Sequence, residues 1–346
     1  MLAVLGPRSI NEDKFSEWCT EIVALGLLWN TVRRTVSIPN EKVVKARLRV
    51  EALLKLGTAS KTELNKVLGS LRHVAICLRA AKPFYQRLQG QSTKAPRLGR
   101  IRMSRGATAD LFWFQQILQL GCLAELPLAM FGTLPTPDVV LLMDASDSGL
   151  AVLDPASNEF IQLKFDQDEE KMVKEAVTTA SKFSINVREH LCIALALWTW
   201  GSKWNQQAGK LIHIKCWSDN MSAVSWCNKL HSKNSFSQEI NRYIGLAEAY
   251  FNLRVSVDHI PGARNSMADA ASRAWTEPHK SRWSNFSSCW NQVPIPPNCR
   301  KLYTNFSSSF KPNHWPRRPQ QSTTAHGHNG LSGASGSIFL NGCLKT

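Results

Sequence analysis

The stretch "VVLLMDASDSG" (residues 139–149) places an acid directly after five consecutive apolar residues. Strands that are covered on both faces of a sheet carry uninterrupted apolar runs of this kind. Asp144 ends the run and is followed by small residues and a second acid, Asp147. The pattern therefore predicts a buried central strand that brings a carboxylate to the edge of a sheet.

The sequence around this strand predicts a mixed sheet with helices packed on it. In order, the segments after Asp144 are strands at 149–154 and 159–165, a helix at 186–200, a strand at 211–217, helices from Asn220 and near 237–251, a strand at 253–260 and a short helix at 265–273. This order predicts an α/β (α+β mixed) fold, with a five-stranded mixed sheet and flanking helices over residues 137–275.

The flanking regions differ from this central part. Residues 41–136 have helical periodicity, and Ser60 and Glu63 have the spacing of a capping box. Residues 276–346 are rich in Ser, Asn, Pro and Gly, and we expect a poorly ordered basic tail there.

Charge is distributed unevenly along the chain. The net charge is +16, with +11 in residues 1–136, −2 in 137–275 and +7 in 276–346. A basic run from Lys61 to Arg105 suits a polyanion such as nucleic acid, although a solvated helix face is an alternative. The candidate nucleic-acid-binding residues of this run are Lys61, Lys66, Arg72, Arg79, Lys82 and Arg87.

Several classes of protein do not fit the sequence. The longest apolar run, "LCIALALW" (191–198), is far shorter than a spanning helix, and the first residues lack the pattern of a signal peptide. We therefore expect an intracellular protein without a membrane partner, and cytoplasm and nucleus both stay open. The nine cysteines show no Cys-x-x-Cys pair, which argues against an obvious zinc site or a disulfide framework.

Three further acids occupy places comparable to that of Asp144. Glu189 lies in the first turn of a helix and begins an otherwise apolar face, Asp219 directly follows the fourth strand, and Asp269 lies in the small-residue helix "MADAAS". Each acid also has a purely structural explanation. These explanations are a turn cap for Asp144, a capping box of Asn186 with Glu189, a helix N-cap at Asp219-Asn220 and a solvated surface acid at Asp269.

Taken together, the four acids indicate a metal site. Four carboxylates that share one site repel each other unless a cation neutralises them. Oxygen ligands favour Mg²⁺ or Mn²⁺, and two such ions about 3.5–4 Å apart support phosphodiester displacement. We therefore predict two Mg²⁺ (or Mn²⁺) ions held by Asp144, Glu189, Asp219 and Asp269.

The order and context of these acids resemble a known family. "DASD", "INVREH", "SDN" and above all "HIPGARNSMADAASR" (259–273) are similar to the type 1 ribonuclease H domains of DIRS-like retroelements, over residues 138–274. The resemblance implies two-metal-ion hydrolysis of the RNA strand of an RNA–DNA hybrid. It makes His259 an aid to proton transfer or product release, and Ser146, Asn220 and Asn265 candidate contacts to nucleic acid.

The N-terminal part resembles the segment after the Tyr-x-Asp-Asp strand of the reverse transcriptases of such elements. The similar stretch is "LAVLGPRSINEDKFSEWCTEIVALGLLWNTVRRTVSIPNEKVVKA". Residues 1–40 would then be the end of the palm, and 41–136 a thumb and connection region that grips a primer–template duplex. Because no Tyr-x-Asp-Asp occurs, no complete polymerase site is expected, and the missing polymerase portion of the element is a candidate partner. Residues 276–346 resemble at most a connector, without the residue set of a tyrosine recombinase.

Three alternatives stay open at this point. The chain could be a catalytically silent nucleic-acid-binding remnant of a retroelement polymerase. It could be a DNA-cutting relative with the ribonuclease H fold, such as a Holliday-junction resolvase or a transposase core. It could also be the product of a pseudogene that has no stable fold.

Overall fold

The N-terminal part of the protein is a small antiparallel sheet followed by four helices. The computed structural model describes residues 17–120, 123–178, 182–205 and 211–303; residues 1–16 of the predicted palm segment and 304–346 of the predicted tail lie outside this range. The elements are β1 (Glu21–Ala24), β2 (Leu27–Asn30), β3 (Thr35–Ser37), α1 (Asn40–Leu56), β4 (Thr58–Ala59), α2 (Lys61–Cys77), α3 (Lys82–Lys94), β5 (Ile101–Arg102), α4 (Arg105–Leu120) and β6 (Leu126–Pro127).

Local sequence explains where these helices begin and end. The predicted capping box is confirmed: the Ser60 hydroxyl accepts from the Glu63 amide, and the Glu63 carboxylate accepts from the Ser60 amide at 2.8 Å. Helix α1 ends at Gly57, whose φ of +64° is costly for residues with a Cβ. The helical character predicted for residues 41–136 is present in α1 to α4.

The described residues from 139 to 292 form a larger mixed sheet with helices on both faces. Its elements are β7 (Val139–Ala145), β8 (Gly149–Asp154), β9 (Glu159–Lys164), α5 (Gln167–Thr178), α6 (Ile185–Trp204), β10 (Ile212–Ser218), α7 (Met221–Lys229), α8 (Ser235–Phe251), β11 (Leu253–His259), α9 (Ser266–Ser272), α10 (His279–Phe286) and β12 (Asn291–Gln292). The strand order is β11-β10-β7-β8-β9-β12. Strand β10 is parallel to β7 and β11, whereas β7, β8 and β9 are antiparallel neighbours, so the predicted mixed α/β architecture is confirmed.

Strand alternation separates the two covered faces of this sheet. Leu150 and Val152 of β8 belong to the large core that contains α6, whereas Ala151 and Leu153 pack with α9. The alanines of α9 allow it to approach β7 and β8 closely. Within the described ranges, no helix combines the length and the apolar character needed to cross a membrane.

The segment after residue 275 corrects two predictions. The sheet has six strands rather than five, because β12 pairs with β9. Residues 276–303, expected to be poorly ordered, contain α10 and anchor themselves with buried side chains: Trp283 packs edge-on against Phe160, and the Tyr303 hydroxyl donates to Glu169 at 2.7 Å. These anchors are single aromatic residues without periodicity, so the local pattern does not reveal them.

Ion pairs and a continuous core join the helical region to the larger sheet. Asp110 of α4 is fully buried between Arg87 of α3 and Arg242 of α8, with N–O distances of 3.5 and 3.3 Å. Burial raises the pKa of Asp110 to about 6, against the opposing effect of Arg242 and Arg87. Helices α3 and α8 also pack directly on each other. The two regions therefore form one body.

Candidate metal centre

The structure brings three of the four predicted ligands together. One carboxylate oxygen from each of Asp144, Glu189 and Asp219 lies within 4.8 Å of the other two. Asp144 lies near the end of β7, Asp219 directly follows β10, and Glu189 lies in the first turns of α6. Because β7 and β10 are parallel neighbours, their carboxyl ends meet at one edge of the sheet.

Glu189 is held by two donors from neighbouring strands. It is 1% exposed, and its two oxygens accept from the Ala145 amide at 2.8 Å and from the Ser218 hydroxyl at 3.1 Å. The capping-box alternative is wrong, because Asn186 instead accepts from the Asn220 side chain at 2.7 Å. Glu189 thus points into the sheet edge and not back along its own helix.

Asp144 is the second buried acid of the group. It is 4% exposed, and one of its oxygens accepts from the Ser272 hydroxyl of α9. The alternative role as a turn cap belongs to Ser146, whose hydroxyl accepts from the amides of Ser148 and Gly149. Asp144 therefore does not cap the β7–β8 turn.

Burial and mutual repulsion raise the pKa of both buried acids. Burial raises the pKa of Asp144 to about 7, the hydrogen bond from Ser272 opposes this rise, and the charges of Asp219 and Asp269 add to it. Burial, followed by the charge of Asp144, also raises the pKa of Glu189 well above its ordinary value. Two acids that resist ionisation, grouped with a third, fit a divalent cation with oxygen ligands, because such an ion supplies the missing positive charge.

We expect cation binding at this centre to depend on pH. Because the pKa of Asp144 lies near 7, the metal-free site holds protons at pH 6 that a cation must displace. Mn²⁺ affinity should therefore rise from pH 6 to pH 8, and binding at pH 6.5 should release protons. Calorimetry in two buffers of different ionisation enthalpy measures this release. Affinity that does not change with pH would contradict the raised pKa.

Asp219 and Asp269 are more open than the two buried acids. Asp219 is exposed, and the N-cap of α7 is Asn220, which accepts from the Ala223 amide at 3.0 Å, so Asp219 has no capping role. Asp269 lies outside the three-acid group and accepts from Arg273 at 2.6 Å. Its charge still raises the pKa of Asp144, so its role as a fourth ligand stays a prediction.

His259 lies at the same edge of the sheet. It is exposed at the end of β11, and its Cα is paired in register with that of Ser218, the residue before Asp219. The following loop passes close to the centre: a Cβ added to Gly262 would lie 3.3 Å from an Asp219 oxygen. His259 thus ends the strand next to β10, and the loop that follows it approaches Asp219.

Two of the predicted nucleic-acid contacts are buried and already engaged. Ser146 is 4% exposed and donates to the Ser272 carbonyl at 2.7 Å. Asn265 is 2% exposed and donates to the Met143 carbonyl at 2.8 Å. Both side chains hold α9 against β7, and their contact with nucleic acid stays a prediction. Asn220 is partly exposed but carries the N-cap and the bond to Asn186.

The basic candidates separate into two groups. Arg79 and Arg87 are partly exposed and form ion pairs within the protein, with Glu248 and with Glu239 and Asp110, so their contact with nucleic acid stays a prediction. The other four side chains are exposed or partly exposed and keep the prediction: Lys61, Lys66, Arg72 and Lys82. Sequence alone does not separate the groups, because the Glu248 and Glu239 partners of Arg79 and Arg87 lie about 150 residues or more away along the chain.

Replacing Arg79 should lower stability, whereas replacing Lys66 should not. Arg79 is paired with Glu248 and donates to the Cys227 carbonyl at 2.7 Å, so Arg79→Gln removes the nearest cation from a buried carboxylate and leaves it with the Val255 amide and the more distant Arg254. We expect a loss of about 2–3 kcal/mol in the free energy of unfolding. Lys66→Gln, at an exposed position of α2, should change it by less than about 0.5 kcal/mol. Urea denaturation of both variants measures the difference, and equal stability would show that the Arg79 pair is not structural.

Two residues of the centre were not identified from the sequence. Ser218 and Ser272 each donate a hydroxyl hydrogen bond to a carboxylate of the group. Ser218 directly precedes Asp219, and Ser272 follows Asp269 by three residues, but serines are common beside strand and helix ends. Only the pairing of β10 with β7 and the packing of α9 give these hydroxyls their partners.

The fold and the centre define a mixed α/β protein with a cluster of carboxylates that can hold a metal ion. No protein-family model, no curated protein and no solved structure matches this chain. Any more specific assignment therefore rests on the chemistry of the centre and on the sequence motifs around it.

Proposed function

We propose that this protein is a ribonuclease H-type endonuclease that hydrolyses the RNA strand of RNA–DNA hybrids. The observation that carries the proposal is the convergence of Asp144, Glu189 and Asp219 at the carboxyl ends of two parallel strands. The resemblance of the surrounding motifs to type 1 ribonuclease H domains of DIRS-like retroelements supports the same assignment. The chain would then be part of a retroelement reverse transcriptase, without a complete polymerase site.

The three acids would hold Mg²⁺ or Mn²⁺, with Asp269 as a candidate fourth ligand. Bound divalent cations supply charge neutralisation at the scissile phosphate and lower the pKa of the attacking water. Glu189 is fixed by the Ala145 amide and Ser218, and Asp144 by Ser272, so both keep their orientation when substrate arrives. His259, exposed at the end of β11 at the same edge, would move a proton to or from the reacting oxygens.

The exposed cations of the helical region would contact the sugar–phosphate backbone of the duplex. The stretch from residue 61 to residue 105 contains 11 basic residues and a single acid, Glu63. The interior pairs of Arg79 and Arg87 fix this region against the larger sheet. The duplex-binding surface and the metal centre would therefore act as one unit.

The polymerase portion of such an element is the proposed protein partner. Large apolar side chains are exposed along the N-terminal sheet: Trp18 (106%), Val23 (61%), Leu25 (89%) and Val32 (73%). Exposed apolar patches of this kind mark surfaces that another polypeptide covers. Among the described residues, β1 is also an edge strand of its sheet, and an edge strand offers one row of backbone groups for pairing.

Cleavage of an end-labelled RNA–DNA hybrid by the full chain, with Mg²⁺ or Mn²⁺, tests the proposal. We expect cutting of the RNA strand alone, loss of cutting with EDTA, and loss of cutting in Asp219→Asn. Asp168→Asn is the matched control, since Asp168 is an exposed acid (87%) of the same domain outside the centre. Hybrid binding without cutting would favour the silent remnant. Cutting of duplex DNA at an equal rate would favour the DNA-cutting alternative.

A further inference from the structure

A buried serine of α9 contacts one acid of the metal centre. Ser272 is 0% exposed, and its hydroxyl donates to Asp144. A second acceptor, the carbonyl of Asp269, lies 3.1 Å from the same hydroxyl. Because a hydroxyl has a single proton, it donates to one acceptor at a time. In this structure the shorter contact is the one to the carboxylate.

Helix α9 holds this hydroxyl in a fixed position. The Asn265 side chain donates to the Met143 carbonyl at 2.8 Å, and Gln162 donates to the Ala271 carbonyl at 2.6 Å. Ser146 donates to the carbonyl of Ser272 itself at 2.7 Å. These bonds join α9 to β7 on both sides of Asp144 and to β9. Hydrogen bonds from α9 to β7 and β9 therefore fix the position of the Ser272 hydroxyl.

We propose that Ser272 is a positioning residue that orients the Asp144 carboxylate toward the cation, and that cation affinity depends on its hydroxyl. The bond occupies one carboxylate oxygen and leaves the other for the ion. Without the hydroxyl, the Asp144 side chain can rotate about its side-chain bonds. Cation binding must then restrict this rotation, which lowers the affinity. The inference rests on the metal role in the proposed function, but it concerns cation binding and not the choice of nucleic acid.

Calorimetric titration of the full chain with Mn²⁺, without nucleic acid, tests the inference. Ser272→Ala should weaken Mn²⁺ binding by about tenfold or more, the range found when residues that orient metal ligands are removed. Ser272→Thr, which keeps a hydroxyl, should restore most of the affinity. Ser237→Ala is the matched control, because Ser237 is another fully buried serine, and its hydroxyl has no hydrogen-bond partner. It should bind Mn²⁺ like the unmodified chain.

The outcomes separate this inference from the proposed function. Equal Mn²⁺ affinity of Ser272→Ala and the unmodified chain would overturn the inference while hybrid cleavage could still stand. Weakened binding in Ser272→Ala, with no hybrid cleavage by the unmodified chain, would support the inference and overturn the function. An unmodified chain that binds no Mn²⁺ would overturn both. Melting curves in EDTA distinguish a lost orientation from a lost fold, since only a chain that has lost its fold shows no cooperative transition.

Discussion

Replacing Asp144 by asparagine should abolish cleavage and at the same time stabilise the metal-free protein. The substitution removes one ligand of the three-acid group, so we expect hybrid cleavage to fall by more than about 100-fold. It also removes a buried charge beside Glu189, while the amide oxygen of the new side chain can still accept from Ser272. The two effects would have opposite signs because a bound cation would neutralise the same buried charges that destabilise the metal-free protein.

The direction of the stability change follows from the pKa. Burial raises the pKa of Asp144 from 3.8 to about 7, so the folded state binds its proton more tightly than the unfolded state. Stability of the metal-free chain is therefore highest below pH 4 as far as this group is concerned, and it is lost as pH rises toward 7. At pH 8 in EDTA, Asp144→Asn should be more stable by about 2–4 kcal/mol, which corresponds to a rise in Tm of roughly 5 °C or more.

Thermal melts in EDTA at pH 5 and pH 8 check this prediction. The advantage of Asp144→Asn should be large at pH 8 and small at pH 5, and added Mn²⁺ should raise the Tm of the unmodified chain but not that of Asp144→Asn. Asp168→Asn, at an exposed acid outside the centre, should behave like the unmodified chain in all of these melts. A lower Tm of Asp144→Asn at pH 8 would show that Asp144 stabilises the fold through contacts other than a bound cation.

The second large effect concerns the segment after the predicted domain end. A chain that ends at Trp275 should be less stable than a chain that ends at Tyr303 by more than about 5 kcal/mol in the free energy of unfolding, or should fail to fold. The shorter chain lacks Trp283 and Tyr303, which are 5% and 0% exposed, and such aromatic truncations cost about 3–5 kcal/mol each. It also lacks β12, which covers the edge of β9.

Part of the stability lost in the shorter chain comes from the polar contacts of Glu169, and a single substitution measures one of these contacts. Glu169 of α5 is fully buried and accepts from the Tyr303 hydroxyl at 2.7 Å and from Arg300 at 2.8 Å. Tyr303→Phe removes only the hydroxyl and should cost about 1.5–3 kcal/mol. Urea denaturation of the two truncated chains and of Tyr303→Phe measures these values. A chain ending at Trp275 that unfolds at the same urea concentration as the longer one would contradict the role of the segment.

The sequence by itself determined most of the elements around the metal centre and three of the acids that meet. An apolar run that ends in Asp144, a helix that begins near Glu189 and a strand that ends before Asp219 are local patterns, and the pairing of parallel strands makes such ends converge. The capping box at Ser60 could be predicted from the sequence for the same reason, since all its atoms lie within four residues.

Only the tertiary structure decided which polar residues serve the fold and which serve the site. Arg79 and Arg87 belong to a basic run, yet their partners lie on α8 and α4 and turn them into interior ion pairs. Ser272 and Ser146 donate to a carboxylate and a carbonyl only when α9 packs on β7. A hydrogen bond or ion pair acts over a few ångströms in space, regardless of separation along the chain, so local sequence patterns carry no record of it.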